Sequence, residues 1–343
     1  MALFSLSLFA AGVDVAAIRA YTQKALQKCP DAKLDFNQVQ SGGPISFVMF
    51  EAKLESSDKN CTQHKYVLYS PVTQQILICN VFELPAEGGS VEGRIASLSS
   101  QMLNANITAK VGGLPLPDGL RAVSMTKQTK LGPFSYHGFV DGSGSFLIVG
   151  ERGNLREEPG LALRKALNVD VVGVHRGSKT SKVEIIELSD FECPTCARAH
   201  KKVEPIIEKN MSKINYTRID LPLFEHHEWA IYAALGAHAI QKVAPAKYWS
   251  YVNFVFENQE TIGKTEFATV LKDFCTDHDI NWEAVKKIYL SPTERQAILE
   301  QVSRAFDVGV NSTPTYIVNG QMMGFGPEGE FTIAEIKKAI GVK

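Results

Sequence analysis

Cys193-Pro194-Thr195-Cys196 stands between the apolar run Val183–Leu188 and a helix-like stretch from Ala197 to Lys209. Two thiols one helical turn apart suit disulfide exchange: the first attacks a substrate disulfide as a thiolate, and the second resolves the mixed disulfide. A cysteine at a helix start meets unpaired backbone N–H groups and the positive end of the helix dipole, and both favour the thiolate. At an ordinary pKa of about 8.5 only about 3% of a thiol is ionised at pH 7, whereas at about 6 roughly 90% is. Cys193 is therefore read as the nucleophile and Cys196 as the resolving thiol, with Pro194 and Thr195 tuning the thiolate between them. The rival uses of this pair are a structural disulfide and half of a zinc site. Zinc calls for a second ligand pair at similar spacing, for which Cys196 followed by His200 is a thin substitute. No metal and no cofactor other than a redox-active Cys193–Cys196 disulfide are expected. Known dithiol potentials run from about −120 to about −270 mV, so the reaction type follows from this motif and its preferred direction does not.

Far downstream, Asn311-Ser312-Thr313-Pro314-Thr315-Tyr316-Ile317-Val318-Asn319-Gly320 sets a proline before a β-like run closed by Asn-Gly. Three stretches then read together: Ser189 to Cys196, Leu221-Pro222-Leu223-Phe224 with the Ala-rich run Ala230–Ala239, and Gly309 to Thr315. On these, the chain from about Lys182 onward resembles the DsbA family of thiol:disulfide oxidoreductases, in particular its DsbA/BdbD-like branch within the thioredoxin superfamily. The resemblance implies an α/β thioredoxin fold with a helical insertion, and a cis Thr313–Pro314 bond facing the dithiol, where the Thr313 backbone pairs with a substrate strand. A trans turn proline is the alternative. It also implies that Glu187, six residues before Cys193, lies near the thiols and moves protons. Partly buried and with a raised pKa, it would act as general base for Cys196; the plainer reading is an exposed strand-edge glutamate. The lysine that partners this acid in the family has no counterpart in Asn215–Asp220. Threonine before the proline also occurs in disulfide isomerases.

These residues need a scaffold. Val183–Leu188, the helix after the dithiol and Ile214–Leu221 follow βαβ order, which implies a right-handed crossover into a parallel pair. Val171–Val174 is a further strand candidate. From Glu228 to about Phe306 the pattern is helical, broken near Pro245, Gly263, Asp279 and Pro292; Met322–Gly324 and Ile333–Ile340 supply a last strand and helix. Upstream, Val13–Lys28 has helical apolar spacing and stops at Cys29-Pro30. Ile45–Leu54, Tyr66–Tyr69 and Gln75–Cys79 read as strands, Val91–Leu103 as a helix, and Leu120–Val123, Phe134–Val140 and Ser145–Val149 as strands. That makes an α+β domain with an antiparallel sheet, in which no repeat is visible. The domain reading is thus a signal-like segment 1–12, an accessory domain 13–150, a linker 151–168 and a thioredoxin domain 169–343 with its insertion over about 225–309.

Asp190 and Glu192 are read as loop residues, one of them a cap for the following helix. His226 and His227 are taken as surface loop histidines, with a place on the active-site face as the other option, and Cys275 as core. Among Cys29, Cys61 and Cys79 a structural bridge is expected if the compartment is oxidising. The 36 Lys and Arg residues nearly balance 37 Asp and Glu, so no long-range field recruits nucleic acid or an anionic membrane. Met1–Ala11 is apolar and small-residue rich, with Ala10-Ala11-Gly12 like a cleavage region, but it lacks a basic start. It is read as an atypical or truncated signal, against an ordinary N-terminal segment. The functional expectation is an extracytoplasmic oxidoreductase that exchanges disulfides with unfolded or cysteine-containing exported proteins and is recycled by a redox partner. Its alternatives are a disulfide isomerase dimerised through the N-terminal domain, and a redox-inactive chaperone-like binding protein.

Overall fold

The structure is a computed structural model, and it describes all residues except 1–12, 27, 28, 30, 58–61, 88, 264, 326–328 and 343. The signal-like segment and Cys61 fall outside the described residues. The chain divides into two compact units, the first running to Leu167 and the second holding most of residues 168–343.

The first unit is built from α1 (Val15–Leu26), β1 (Lys33–Gln38), β2 (Val48–Glu55), β3 (Gln63–Tyr69), β4 (Gln75–Glu83), α2 (Val91–Leu103), β5 (Ile107–Val111), β6 (Arg121–Thr129), β7 (Gly132–Val140), β8 (Phe146–Asn154) and α3 (Pro159–Ala166). α1 buries Ile18, Tyr21, Thr22 and Leu26, the stripe that a 3.6-residue period lays on one face. α2 starts where the Ser90 side chain accepts from the Gly93 N–H, and it ends on left-handed Asn104. The eight strands form one antiparallel sheet in the order β1-β2-β3-β4-β8-β7-β6-β5. That order corrects the expectation of no repeat: a helix followed by a four-stranded meander occurs twice, and the two meanders join through β4 and β8. The repetition lies in element order and pattern, with little shared identity beyond Gly42-Gly43 in the β1–β2 connection and Gly112-Gly113 in the β5–β6 connection. At the join Cys79 is opposite Gly150, where a side-chain carbon would come within 2.3 Å of the Ile78 carbonyl oxygen. Ile76 and Ile78 pack beneath α1, and Leu84 and Leu147 pack with Ile95 of α2. The opposite face carries Met49, Leu68, Leu77, Cys79, Leu120 and Ile148.

β8 runs on to Asn154, so the first four residues of the segment expected to be a linker belong to a sheet strand; its register with β4 from Gln75↔Asn154 to Glu83↔Phe146 outweighs the turn-forming residues. Cys79 is a buried free thiol, whereas Cys29 is disulfide-bonded.

The second unit holds α4 (Val169–Val172), β9 (Val174–Gly177), β10 (Glu184–Ser189), α5 (Pro194–Lys209), β11 (Asn215–Asp220), an insertion of six helices, then β12 (Thr315–Val318), β13 (Gln321–Gly324) and α12 (Glu330–Ile340). The insertion comprises α6 (Ala230–Val243), α7 (Tyr248–Glu257), α8 (Gln259–Ile262), α9 (Phe267–Asp277), α10 (Trp282–Tyr289) and α11 (Pro292–Asp307). The sheet order is β13-β12-β10-β11-β9, with β10 and β11 parallel and β12 and β9 antiparallel to their neighbours. This is a thioredoxin-like fold. Ile185, Tyr216, Tyr316 and Val318 pack with Val203 and Ile207 of α5 and Ile336 and Ile340 of α12. Asn319 and Gly320, both at positive φ, turn β12 into β13. One strand expectation is corrected: Val169–Val172 is a helical turn and the strand begins only at Val174. Gly173 sets the boundary, because a side-chain carbon there would meet Thr217 Cγ2 at 2.3 Å and the Val169 carbonyl oxygen at 2.6 Å.

Candidate active site

Cys193 is the residue that caps the start of α5, in an extended conformation, with Pro194 in the first helical turn. Proline fits there because no N–H is needed at that point. Cys196 lies one turn on. Cys193 is 8% exposed and Cys196 not at all, so only the first thiol can meet an incoming disulfide. The Thr313–Pro314 bond is cis, and the Thr313 carbonyl oxygen lies 3.6 Å from Cys193 Sγ. Pro314 is buried and Thr313 half-buried. Strands β10 and β12 are direct neighbours, and that pairing brings a loop 120 residues away to the dithiol.

The two thiols titrate in opposite directions. A hydrogen bond from Cys196 pulls Cys193 down to about 5; the backbone N–H groups of Cys196 and Thr195 assist, and burial opposes them. Burial, followed by the adjacent Cys193 sulfur, pushes Cys196 well up, although the Asp190 N–H donates to Cys196 Sγ at 3.4 Å. These opposite shifts favour a Cys193 thiolate beside a Cys196 thiol at neutral pH.

Glu187 is fully buried on β10, in register with Arg218 of β11 and Tyr316 of β12. Arg218 Nη1 donates to Glu187 Oε1 at 2.9 Å and its Nε to Asp220 Oδ1 at 3.0 Å, while the Tyr216 hydroxyl donates to Glu187 Oε2. Burial alone would raise the Glu187 carboxyl, but Arg218, Tyr216, His200 and Ser189 together hold it below the usual range. This corrects both readings of Glu187: it is neither an exposed edge residue nor a carboxyl with a raised pKa. No lysine stands in Asn215–Asp220, and the cation beside Glu187 is Arg218, with its guanidinium 4.5 Å from the centre of the Phe191 ring. Parallel β10–β11 pairing was legible in the sequence, and an arginine in the middle of the buried run Ile214–Leu221 was the signal that could have found it.

Asp190 and Glu192 do more than shape a loop. The side chain of Asp190 is fully buried; its Oδ1 accepts from the Glu192 N–H at 2.8 Å, and its Oδ2 accepts from the Leu223 N–H and contacts His227 Nδ1, each at 2.7 Å. Glu192 Oε2 accepts from the N–H groups of Trp229 at 2.6 Å and Ala230 at 2.9 Å, so it caps α6 at the start of the insertion and not the helix that follows the dithiol. His227 therefore belongs with the dithiol turn, against the surface reading. Its pKa is raised, chiefly by the bond to Asp190. Gln259 of α8 donates from Nε2 to the carbonyl oxygens of Phe191 at 2.6 Å and Cys193 at 3.2 Å; no sequence signal pointed to it. Cys275 is buried core, and no cluster of metal-ligating side chains occurs among the described residues.

Curated relatives include the Na(+)/H(+) antiporter NhaA 3 of Salinispora tropica, 25% identical over 146 residues, which are 43% of this chain and 21% of the antiporter. The chain thus spans about a fifth of the length of that relative. The probable disulfide bond formation protein D of Bacillus cereus is 25% identical over 154 residues, covering 43% of this chain and 69% of that protein. Among solved structures, BdbD from Bacillus subtilis in its oxidised form aligns at 20% identity with a TM-score of 0.43, over 52% of this chain and 95% of that one. The family model described as Thioredoxin matches residues 170–341, half of the chain, and the chain belongs to that family.

Proposed function

We propose that this protein is a thiol:disulfide oxidoreductase that works through a Cys193 mixed disulfide and donates disulfides to cysteine-containing proteins outside the cytoplasm. The observation that carries the reading is the asymmetry of the pair: an accessible thiol pulled down to about 5 beside a shielded thiol pushed up. An accessible thiolate attacks, and a shielded protonated partner waits to resolve. A stabilised thiolate also favours the reduced protein, which makes the oxidised protein a strong disulfide donor. The disulfide at Cys29 supports an oxidising compartment. Relatives and similar folds include proteins named for disulfide bond formation and thiol-disulfide exchange.

The chemistry balances between the protein and a substrate dithiol that gives up two electrons and two protons, one proton to Cys196 and one to a base or to solvent. The substrate dithiol attacks the Cys193–Cys196 disulfide at Cys193 Sγ, and Cys196 leaves and takes up a proton. The second substrate thiolate then attacks the mixed disulfide, expelling Cys193 as its stable thiolate. Ser189 at the end of β10 and the Asp190 N–H both hydrogen-bond to Cys196 and set the polarity of the place where its proton is taken up. Thr313, by its backbone beside Cys193, is the position for aligning a substrate strand.

The test is equilibration in graded glutathione buffers, with alkylation and mass spectrometry of Cys193 and Cys196. A potential near about −120 mV agrees with disulfide donation; one below about −200 mV reverses the direction, and no reversible transition removes the reading.

A further inference from the structure

Asp190 contacts both thiol-bearing residues through its main chain. Its N–H donates to Cys196 Sγ at 3.4 Å, and its carbonyl oxygen accepts from the Cys193 N–H at 3.3 Å. Its carboxylate, fully buried, then sits on the same turn as the Cys193 thiolate. Both negative groups act on the same neighbouring imidazole, and in surroundings poorer than water at screening charge they repel each other unless a cation intervenes. The group in contact with that carboxylate is the imidazole of His227, whose side chain is 21% exposed and so remains open to proton exchange with solvent.

We propose, resting on the oxidoreductase reading, that His227 is a positioning residue that neutralises Asp190 when Cys193 is a thiolate and takes up one of the two protons delivered on reduction. The step balances. A substrate dithiol surrenders two electrons and two protons as its own S–S bond forms. The protein's S–S bond breaks, Cys196 Sγ holds one proton, Cys193 leaves as the thiolate, and the His227 imidazole takes the second proton. No net proton reaches solvent.

The charged and titratable groups that act on His227 are Asp190, Cys193 and Glu192 from the turn after β10, and the carboxylate of Glu192 is engaged by the Trp229 and Ala230 N–H groups. Along its own segment the neighbours are His226 and Glu228. The first contributor to its raised basicity is the Asp190 bond, and Cys193 adds to it. Linkage then requires the reverse: a proton on His227 must favour the Cys193 thiolate, and formation of the disulfide must release that proton more readily.

Two measurements test this. In the wild-type protein, nuclear magnetic resonance titration of the His227 ring is expected to give a higher midpoint in the reduced than in the oxidised protein; equal midpoints overturn the proposal. In the second, oxidised protein is reduced with dithiothreitol in weakly buffered indicator solution, with the pH between those two midpoints. His227→Gln, which keeps a donor for Asp190, is expected to release more protons per disulfide than the wild type, by a fraction of a proton that grows towards one with the separation of the two midpoints. The variant's Cys193 thiolate should also titrate at higher pH by ultraviolet absorbance. Identical proton counts and thiolate curves would overturn the role of His227 while leaving the oxidoreductase reading intact. A dithiol that never exchanges reversibly, in either protein, would remove both.

Discussion

The two units each bury a thiol and a glutamate, the glutamate on a central strand in both, and they treat them in opposite ways. In the first, Cys79 on β4 is pushed far up by burial, and Glu151 on β8 rises to about 7 for the same reason, with no ion pair to a described residue. In the second, Cys193 falls to about 5 and Glu187 is held below the ordinary carboxylate range. Removal from water disfavours charge in all four cases, so the sign of the outcome depends on what else is in contact. Cys193 has a neighbouring thiol and two backbone N–H groups, and Glu187 has Arg218 and Tyr216. A buried acid or thiol marks chemistry only where the fold supplies partners for its charged form.

The largest test of that contrast exchanges the two thiols for hydroxyls. Cys193→Ser should lower disulfide exchange at least about a thousandfold, because a hydroxyl cannot form the mixed disulfide. Cys79→Ser should leave turnover at wild-type level in the same insulin-reduction assay. Next in size, Glu187→Ala should cost about 3–5 kcal/mol in urea unfolding, because it leaves buried Arg218 half-paired. Combining it with Arg218→Met should recover much of the loss; no recovery would mean that the pair is not what the alanine disrupts. Glu187 stabilises the fold above its ordinary value of 4.5, and that contribution is lost as pH falls through its depressed folded value.

Glu151 has the opposite sign. Its folded value of about 7 lies above the ordinary 4.5, so its contribution is complete below 4.5 and is lost as pH rises towards 7. Glu151→Gln should therefore raise stability by about 2 kcal/mol near neutral pH, allowing for its partial exposure, and by nothing in acid. A gain that did not vary with pH would break the comparison. Smallest is Gln259→Ala, expected to cost about 1 kcal/mol by freeing the carbonyls of Phe191 and Cys193. It should change exchange rates only a few-fold.

What the sequence disclosed follows the range of the forces involved. The dithiol, the helix after it, the β10–α5–β11 order and the proline loop are written in local types and spacings, and a reader of sequence meets them directly. Val171–Val174 misled because three valines in four residues favour a strand by composition, while left-handed Asn168 and close-packed Gly173 set a helical turn there. β1 was missed because Lys-Leu-Asp-Phe-Asn-Gln is poor in strand formers, and β2 is what holds it in register. The sign of the Glu187 shift needed Arg218 across a strand pair. His227 and Gln259 needed the insertion folded back onto the dithiol turn, and no periodicity encodes that.

The symmetric sheet of the first unit also sets an order of events during synthesis. β4 leaves the ribosome with only β3 beside it, and its other edge stays open until β8 appears, because β4 and β8 pair with each other along their full length. Until then the first meander presents a nine-residue, largely apolar strand as an unpaired template, a hazard for association with other chains. The second meander is thus an edge cover delivered late, and the chain closes its first sheet shortly before Cys193 emerges.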